Sequence, residues 1–200
     1  MDPKINVSRE TMQKLEAFAS LVQKWTPKIN LVSKHSLDDL WARHIWDSAQ
    51  LLELAPQQGR WVDLGSGGGF PAIIIAILSP EKGHDHELIM VESDQRKSVF
   101  LRTALRELNL SGTVISERIE EIEPLGALIL SARALADLTI LLGYADHHLA
   151  EGGTALFPKG ARWEKEAQVA TDKWSFSSES FRSKSHPDAA VLKIKDIVRV

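Results

Sequence analysis

The stretch Trp61-Val-Asp-Leu-Gly-Ser-Gly-Gly-Gly-Phe-Pro71 decides the fold, because an apolar run closes on an acid, enters a glycine-rich turn and meets a proline. Trp61 to Leu64 reads as a strand. The glycines let the backbone turn sharply and let a ligand approach it with no Cβ in between, and Pro71 suits the first turn of the helix that the apolar run Ala72 to Leu78 then forms. Strand, glycine turn and helix in that order make a nucleotide-cofactor unit. Two acids narrow the ligand: Asp63 closes the first strand, and Glu92 closes a second, Glu87-Leu-Ile-Met-Val-Glu92.

A nicotinamide-binding unit carries Gly-x-Gly-x-x-Gly, whose helix N-terminus holds a pyrophosphate; here Phe70 occupies the place of the third glycine. S-adenosyl-L-methionine fits better. It has no phosphate, carries ammonium and sulfonium cations, and exposes two ribose hydroxyls, so it requires acids and close backbone. Glu92 is expected to accept from the ribose hydroxyls, Asp63 to face the ammonium directly or through water, and Gly65 and Gly67 to admit the ligand to the turn. The competing reading is that both acids merely cap their turns.

The 200 residues, 44% hydrophobic and 26% charged, suit one soluble globular unit. The longest apolar run, Ala72 to Leu78, is far too short to span a bilayer, and Met1-Asp-Pro-Lys4 lacks a secretory pattern, so a cytoplasmic protein without membrane association is expected. With no cysteine, disulfides, thiolate metal sites and a thiol nucleophile are excluded, and with them the usual chemistry of methylation at pyrimidine C5. Net charge is -3, so any contact with nucleic acid must be local. His84-Asp-His86 lacks a third spaced ligand and reads as a polar loop, and no metal is expected.

Residues 8 to 25 have the helical spacing of Met12, Leu15, Phe18, Val22 and Trp25, with Ser8 as N-cap and Trp25-Thr-Pro27 as the stop. A capping box at Ser36-Leu-Asp-Asp39 opens a second helix to about Leu54. Strands and helices then alternate: strand 60–64, helix 71–78, strand 87–92, helix 94–108, strand 113–116, strand 127–131, a helix from about 134 to 149 and strand 154–157. A helix from about Arg162 and extended stretches near 174–182 and 190–199 complete the chain. This predicts a doubly wound α/β sheet, mostly parallel, with seven strands and an antiparallel edge: a Rossmann-like methyltransferase sheet with an N-terminal helical extension. The expected division is residues 1–58 for the extension and 59–200 for the methyltransferase domain, one compact unit.

Several motifs together resemble the glucose-inhibited division protein B family, bacterial methyltransferases acting on N7 of a guanine in 16S rRNA. They are Asn30-Leu31, Arg43-His44-Ile-Trp-Asp47-Ser48, the Asp63 to Pro71 stretch, Glu92-Ser-x-x-Arg96-Lys97-x-x-Phe100-Leu101-Arg102, Arg118-Ile-Glu120, Ser131-Ala-Arg133-Ala134 and Lys159-Gly160. The resemblance covers about residues 20 to 165. It implies cofactor contacts at Gly65, Phe70, Ile119, Glu120 and Arg133, with Glu92 at the ribose. It departs from the family pattern at Ala72, where the family has glycine, and near Ala127 and Leu128, where the family has an aspartate.

Guanine N7 carries an in-plane lone pair and no proton, so the expected chemistry is direct in-line attack with no catalytic side chain as obligatory base. Positioning is then the task, and Arg133 and Lys159 are the expected substrate contacts, at O6 or phosphates. Arg43, His44 and Asp47 share a helical face and read equally as a brace or an RNA contact. Arg96, Lys97, Arg102 and Arg106 read as a solvated face or a phosphate strip. The partner is 16S rRNA or the small ribosomal subunit, and a monomer is expected. A nicotinamide oxidoreductase and a small-molecule methyltransferase are the alternatives; Tyr144, the single tyrosine, has His148 four residues on instead of the lysine of a Tyr-x-x-x-Lys pair.

Overall fold

The apolar runs become seven strands in a computed structural model that describes residues 6–33 and 37–200. They are β1 (Gln58–Leu64), β2 (Asp85–Val91), β3 (Thr113–Ile115), β4 (Ala127–Ala132), β5 (Leu149–Lys159), β6 (Trp174–Arg182) and β7 (Ala190–Arg199). The strands form one sheet in the order β3-β2-β1-β4-β5-β7-β6. Neighbours among β1 to β5 pair in parallel, and β7 pairs antiparallel to both β5 and β6. The expected seven strands and antiparallel edge are therefore present. Strand order reverses between β1 and β4, and a crevice outside the carboxyl ends of the strands opens at such a switch point.

Successive residues of one strand serve opposite faces. Trp61, Met90, Ile129 and Leu156 face one core, while their neighbours Val62, Ile89, Leu130 and Phe157 face the other. The first core is closed by α1 (Arg9–Ile29), α2 (Asp47–Leu54), α3 (Ala72–Leu78) and α4 (Gln95–Glu107); the second by α5 (Leu138–His148), with α6 (Trp163–Ala170) beside it. Helix α3 is apolar nearly all round, as a helix must be when enclosed between a sheet and further helices.

Strand β5 begins at Leu149, five residues before the expected start, and three helical boundaries also differ from the sequence reading. Helix α1 starts as expected, with the Ser8 hydroxyl accepting from the Thr11 amide at 3.2 Å, but it runs through Pro27 to Ile29. Proline so near the end removes one intrahelical bond, and Asn30, in the left-handed region at φ 51°, closes the helix by donating its amide to the Thr26 carbonyl. The second helical stretch is not uniform: Trp41–Trp46 is a wide π-turn ahead of α2. Ser36, the first residue of the expected capping box, lies outside the described residues. Helix α5 begins at Leu138 and not near 134, because Ala134 adopts φ 53° and Asp137 supplies the cap, accepting from the Ile140 amide at 3.1 Å.

Phe18 of α1 links the helical extension to the glycine loop. Its ring lies 5.2 Å from that of Phe70 and 6.3 Å from that of Phe100, with no exposed surface. Phe18→Ala is expected to cost about 3–5 kcal/mol in urea unfolding. The same substitution should weaken ligand binding at the loop, read by calorimetric titration.

Candidate active site

Four parallel strands deliver the expected site residues to their carboxyl ends. Asp63 lies near the end of β1 and Gly65 follows it; Glu92 follows β2; Ile119 and Glu120 form a short 3-10 turn after β3; Arg133 follows β4.

Asp63 is the most constrained of them. Cross-strand register sets it opposite Ser131, whose hydroxyl donates to Asp63 Oδ1 at 2.6 Å while accepting from Trp61 Nε1 at 2.9 Å. The other oxygen, Oδ2, is buried without a hydrogen-bond partner. Burial pushes the carboxyl up from 3.8 to about 6, against the opposing pull of Ser131, Ser66 and the Arg133 charge. An orphaned buried carboxylate oxygen is suited to a cationic donor from outside the chain, such as an ammonium.

Glu92, also buried, accepts from the Gly67 amide at 2.8 Å through Oε2 and from the Asp94 amide at 2.8 Å through Oε1. Its carboxylate is thereby locked against the glycine turn, and each oxygen retains a lone pair for a hydroxyl. The glycines divide by role. A Cβ on Gly67 would meet nothing nearer than the Gly65 carbonyl at 3.6 Å and Glu92 Oε2 at 3.9 Å, so this position opens onto free space beside the acid. A Cβ on Gly69 would stand 2.7 Å from Ile73 Cγ1, which makes that residue a packing glycine. Beside Gly65 lies the tip of Leu135, 2.7 Å from where a Cβ would stand.

Phe70 is buried and its ring is covered by protein. Phe18 packs on it, the His44 ring stands 5.0 Å away, and the Arg133 guanidinium lies 5.3 Å from its centroid. The π-turn carries His44 into this stack with both ring nitrogens buried and unpartnered, and burial with the charges of Arg133 and Arg43 pushes it down to about 3. His44 is therefore neutral at physiological pH. Arg133 donates to the Arg43 carbonyl at 3.3 Å. Burial lowers it to about 10 while Asp47 and Asp63 pull the other way, so it stays charged. The face carrying Arg43, His44 and Asp47 thus braces the extension against the sheet.

Arg133 and Lys159 line one cleft of about 630 Å³ with Asp47 and Ser183. Within it Lys159 Nζ is engaged, pairing with Glu166 and donating to the Ala136 carbonyl at 3.0 Å. Glu120 is apart from these contacts: it is exposed and accepts from the Tyr144 hydroxyl, which lowers the acid and pushes the phenol up to about 12. Ile119 is buried, and its carbonyl is met by His148 Nε2 at 3.3 Å. His86 is tied to Ser79 and the Pro56 carbonyl, and no group of metal-binding side chains occurs among the described residues. Of the α4 cations, Arg96 pairs with Asp94 and Arg102 donates to the Val114 carbonyl and Ser116 hydroxyl. Sequence reading assigned no role to Ser131 or Trp61; only the β1–β4 register brings Ser131 to both Trp61 and Asp63.

This sheet, with a glycine turn after β1 and an acid after β2, is that of the S-adenosylmethionine-dependent methyltransferases. Among solved structures, MtNAS in complex with S-adenosylmethionine superposes with TM-score 0.61 at 12% identity, over 92% of this chain and 75% of that one. A Methanococcus maripaludis protein assigned as such a methyltransferase gives 0.60 at 13% identity, over 96% of both chains. The chain belongs to the GidB family, rRNA small subunit methyltransferase G, which it matches over residues 11–191. It is 59% identical to the ribosomal RNA small subunit methyltransferase G of Ruegeria pomeroyi, over 98% of this chain and 96% of that protein. It is 49% identical to that of Paracoccus denitrificans, over 95% and 97%.

The raised Asp63 has a measurable consequence. A carboxyl shifted from 3.8 to about 6 contributes stability that is fully present below about pH 4 and lost as pH rises through 6, because the fold disfavours its ionised form. Asp63→Asn, which stays neutral, is expected to be more stable than the ligand-free parent at pH 8, by on the order of 2–3 kcal/mol. Urea titrations should show the difference vanish near pH 4.

Proposed function

We propose that the protein transfers a methyl group from S-adenosyl-L-methionine to N7 of a guanine in 16S rRNA. Family membership supports rRNA methylation, and the observation that carries the cofactor assignment is the orphaned Asp63 Oδ2 beside a Glu92 carboxylate locked onto the glycine turn. Asp63 takes the ammonium. Glu92 takes the ribose hydroxyls across the open side of Gly67, with Gly65, the Phe70 backbone and the Ile119–Glu120 turn completing the pocket. Arg133, which feels the Asp63 charge and lines the cleft, is read as serving both the cofactor and the substrate.

When bound, the cofactor supplies a methyl group on a sulfonium, with a neutral thioether as leaving group. The guanine N7 lone pair forms the new bond in line with the one that breaks, and the positive charge passes to the base. No proton leaves N7, so no side chain acts as obligatory base. The residues bind and align, and holding the reacting atoms about 3–3.5 Å apart supplies much of the acceleration. The complete lack of cysteine fits this chemistry and not C5 attack. N7 in an A-form duplex faces a deep, narrow groove, so the target guanine lies in a loop or is flipped out, within small-subunit RNA.

S-adenosylmethionine at about 100 times its dissociation constant should raise stability by roughly 2.7 kcal/mol in thermal shift, whereas NAD should not. Single-turnover rates at saturation should stay flat from about pH 6.5 to 8.5. Mass spectrometry of small-subunit RNA treated with labelled cofactor should yield N7-methylguanosine. A product methylated elsewhere, or a shift with NAD alone, overturns the reading.

A further inference from the structure

The cleft beside Arg133 contains a carboxylate whose bracing hydrogen bond uses only one of its two oxygens. Asp47, the first residue of α2, faces the cleft, and its Oδ1 accepts from the Ser183 hydroxyl at 2.7 Å. Ser183 is itself fixed, since its oxygen accepts from the Ser185 and His186 amides at 3.1 Å each. Gln50, one turn further along α2, joins the Arg182 carbonyl at 2.8 Å and the Lys184 amide at 3.1 Å, so the helix and the 182–184 segment are held as one scaffold. The other acids lining the cleft are committed: Asp137 caps α5, and Glu166 is held by Lys159 and the Leu138 amide. Among the described residues Asp47 Oδ2 has no hydrogen-bond partner, and Oδ1 keeps a lone pair. A carboxylate so oriented presents two acceptors to a ligand at no reorganisation cost.

We propose that Asp47 is the residue that selects guanine, accepting hydrogen bonds from the N1–H and the 2-amino group of the target base in this cleft. The inference rests on the guanine-N7 reading above and extends it. N7 itself cannot discriminate, because adenine carries the same lone pair. Discrimination comes from O6, an acceptor where adenine carries an amine, or from the opposite edge of the purine, where guanine presents two donors and adenine an acceptor nitrogen and no 2-amine; a carboxylate can read only the second. Binding that edge leaves N7 free to react. It also places a negative charge against the ring as the methyl group makes the base cationic, so the contact strengthens in the transition state.

The test replaces the methylated guanosine, once mapped, with inosine, which keeps N1–H and N7 but lacks the 2-amine. The parent protein should show kcat/KM at least about tenfold lower on the inosine substrate, the worth of one lost hydrogen bond at a bidentate pair. Asp47→Asn and Asp47→Ser should lose about tenfold or more on guanosine. Both variants should treat the two substrates alike within about twofold. Because the readout is a ratio on one preparation, partial unfolding of a variant does not change it, and the dissociation constant for S-adenosylmethionine should stay within about twofold of the parent. Parental indifference to inosine, or a variant that keeps the parental ratio, overturns the proposal. If the parent yields no N7-methylguanosine, it is the underlying reading that fails.

Discussion

The structure depends on a carboxylate that the fold holds in an unfavourable setting. Asp63 is buried near the carboxyl end of the central strand β1, with one oxygen anchored by Ser131 and the other left without a partner. A charge so placed is costly unless something outside the chain completes it. The Trp61–Ser131–Asp63 chain spans β1 and β4, the strands where the sheet order reverses, so the orphaned oxygen sits at the topological position where such folds bind ligands. Glu92 complements it from β2, its two backbone hydrogen bonds fixing the glycine turn and the acid together.

The N-terminal helical segments pack directly on the glycine loop through Phe18 and His44. Phe18 packs on Phe70, and the π-turn brings the His44 ring to 5.0 Å from the same ring that the Arg133 guanidinium approaches at 5.3 Å. A π-turn holds an extra residue and changes which side chains point inward, and such turns are frequent at functional sites. Here it lets His44 and Asp47 serve different places at once, the first against the glycine loop and the second in the neighbouring cleft.

Much of this architecture was legible in the sequence. The terminal strands fall at 174–182 and 190–199 as read, and the glycine turn lies between β1 and α3, where the apolar run that ends at Asp63 and Leu64 gives way to glycines. The π-turn was not legible, since the periodicity of residues 36–54 fits an ordinary α-helix. Nor was the path of α1 through Pro27, which depends on Asn30 adopting a left-handed conformation. Local sequence could not separate Gly67 from Gly69, whose roles differ only through what stands beside them. Ser131 was visible as part of a motif, but its role follows from register with Asp63, a relation between residues 68 positions apart.

The central claim is that Asp63 completes its shell with the cofactor's ammonium. The most direct measurement is a calorimetric cycle pairing S-adenosylhomocysteine and its deaminated analogue with the parent protein and Asp63→Asn. The account predicts that removing the amine weakens binding to the parent by about tenfold or more, as expected for a charge-assisted hydrogen bond, and has little effect on the variant. An equal loss in both proteins would contradict it.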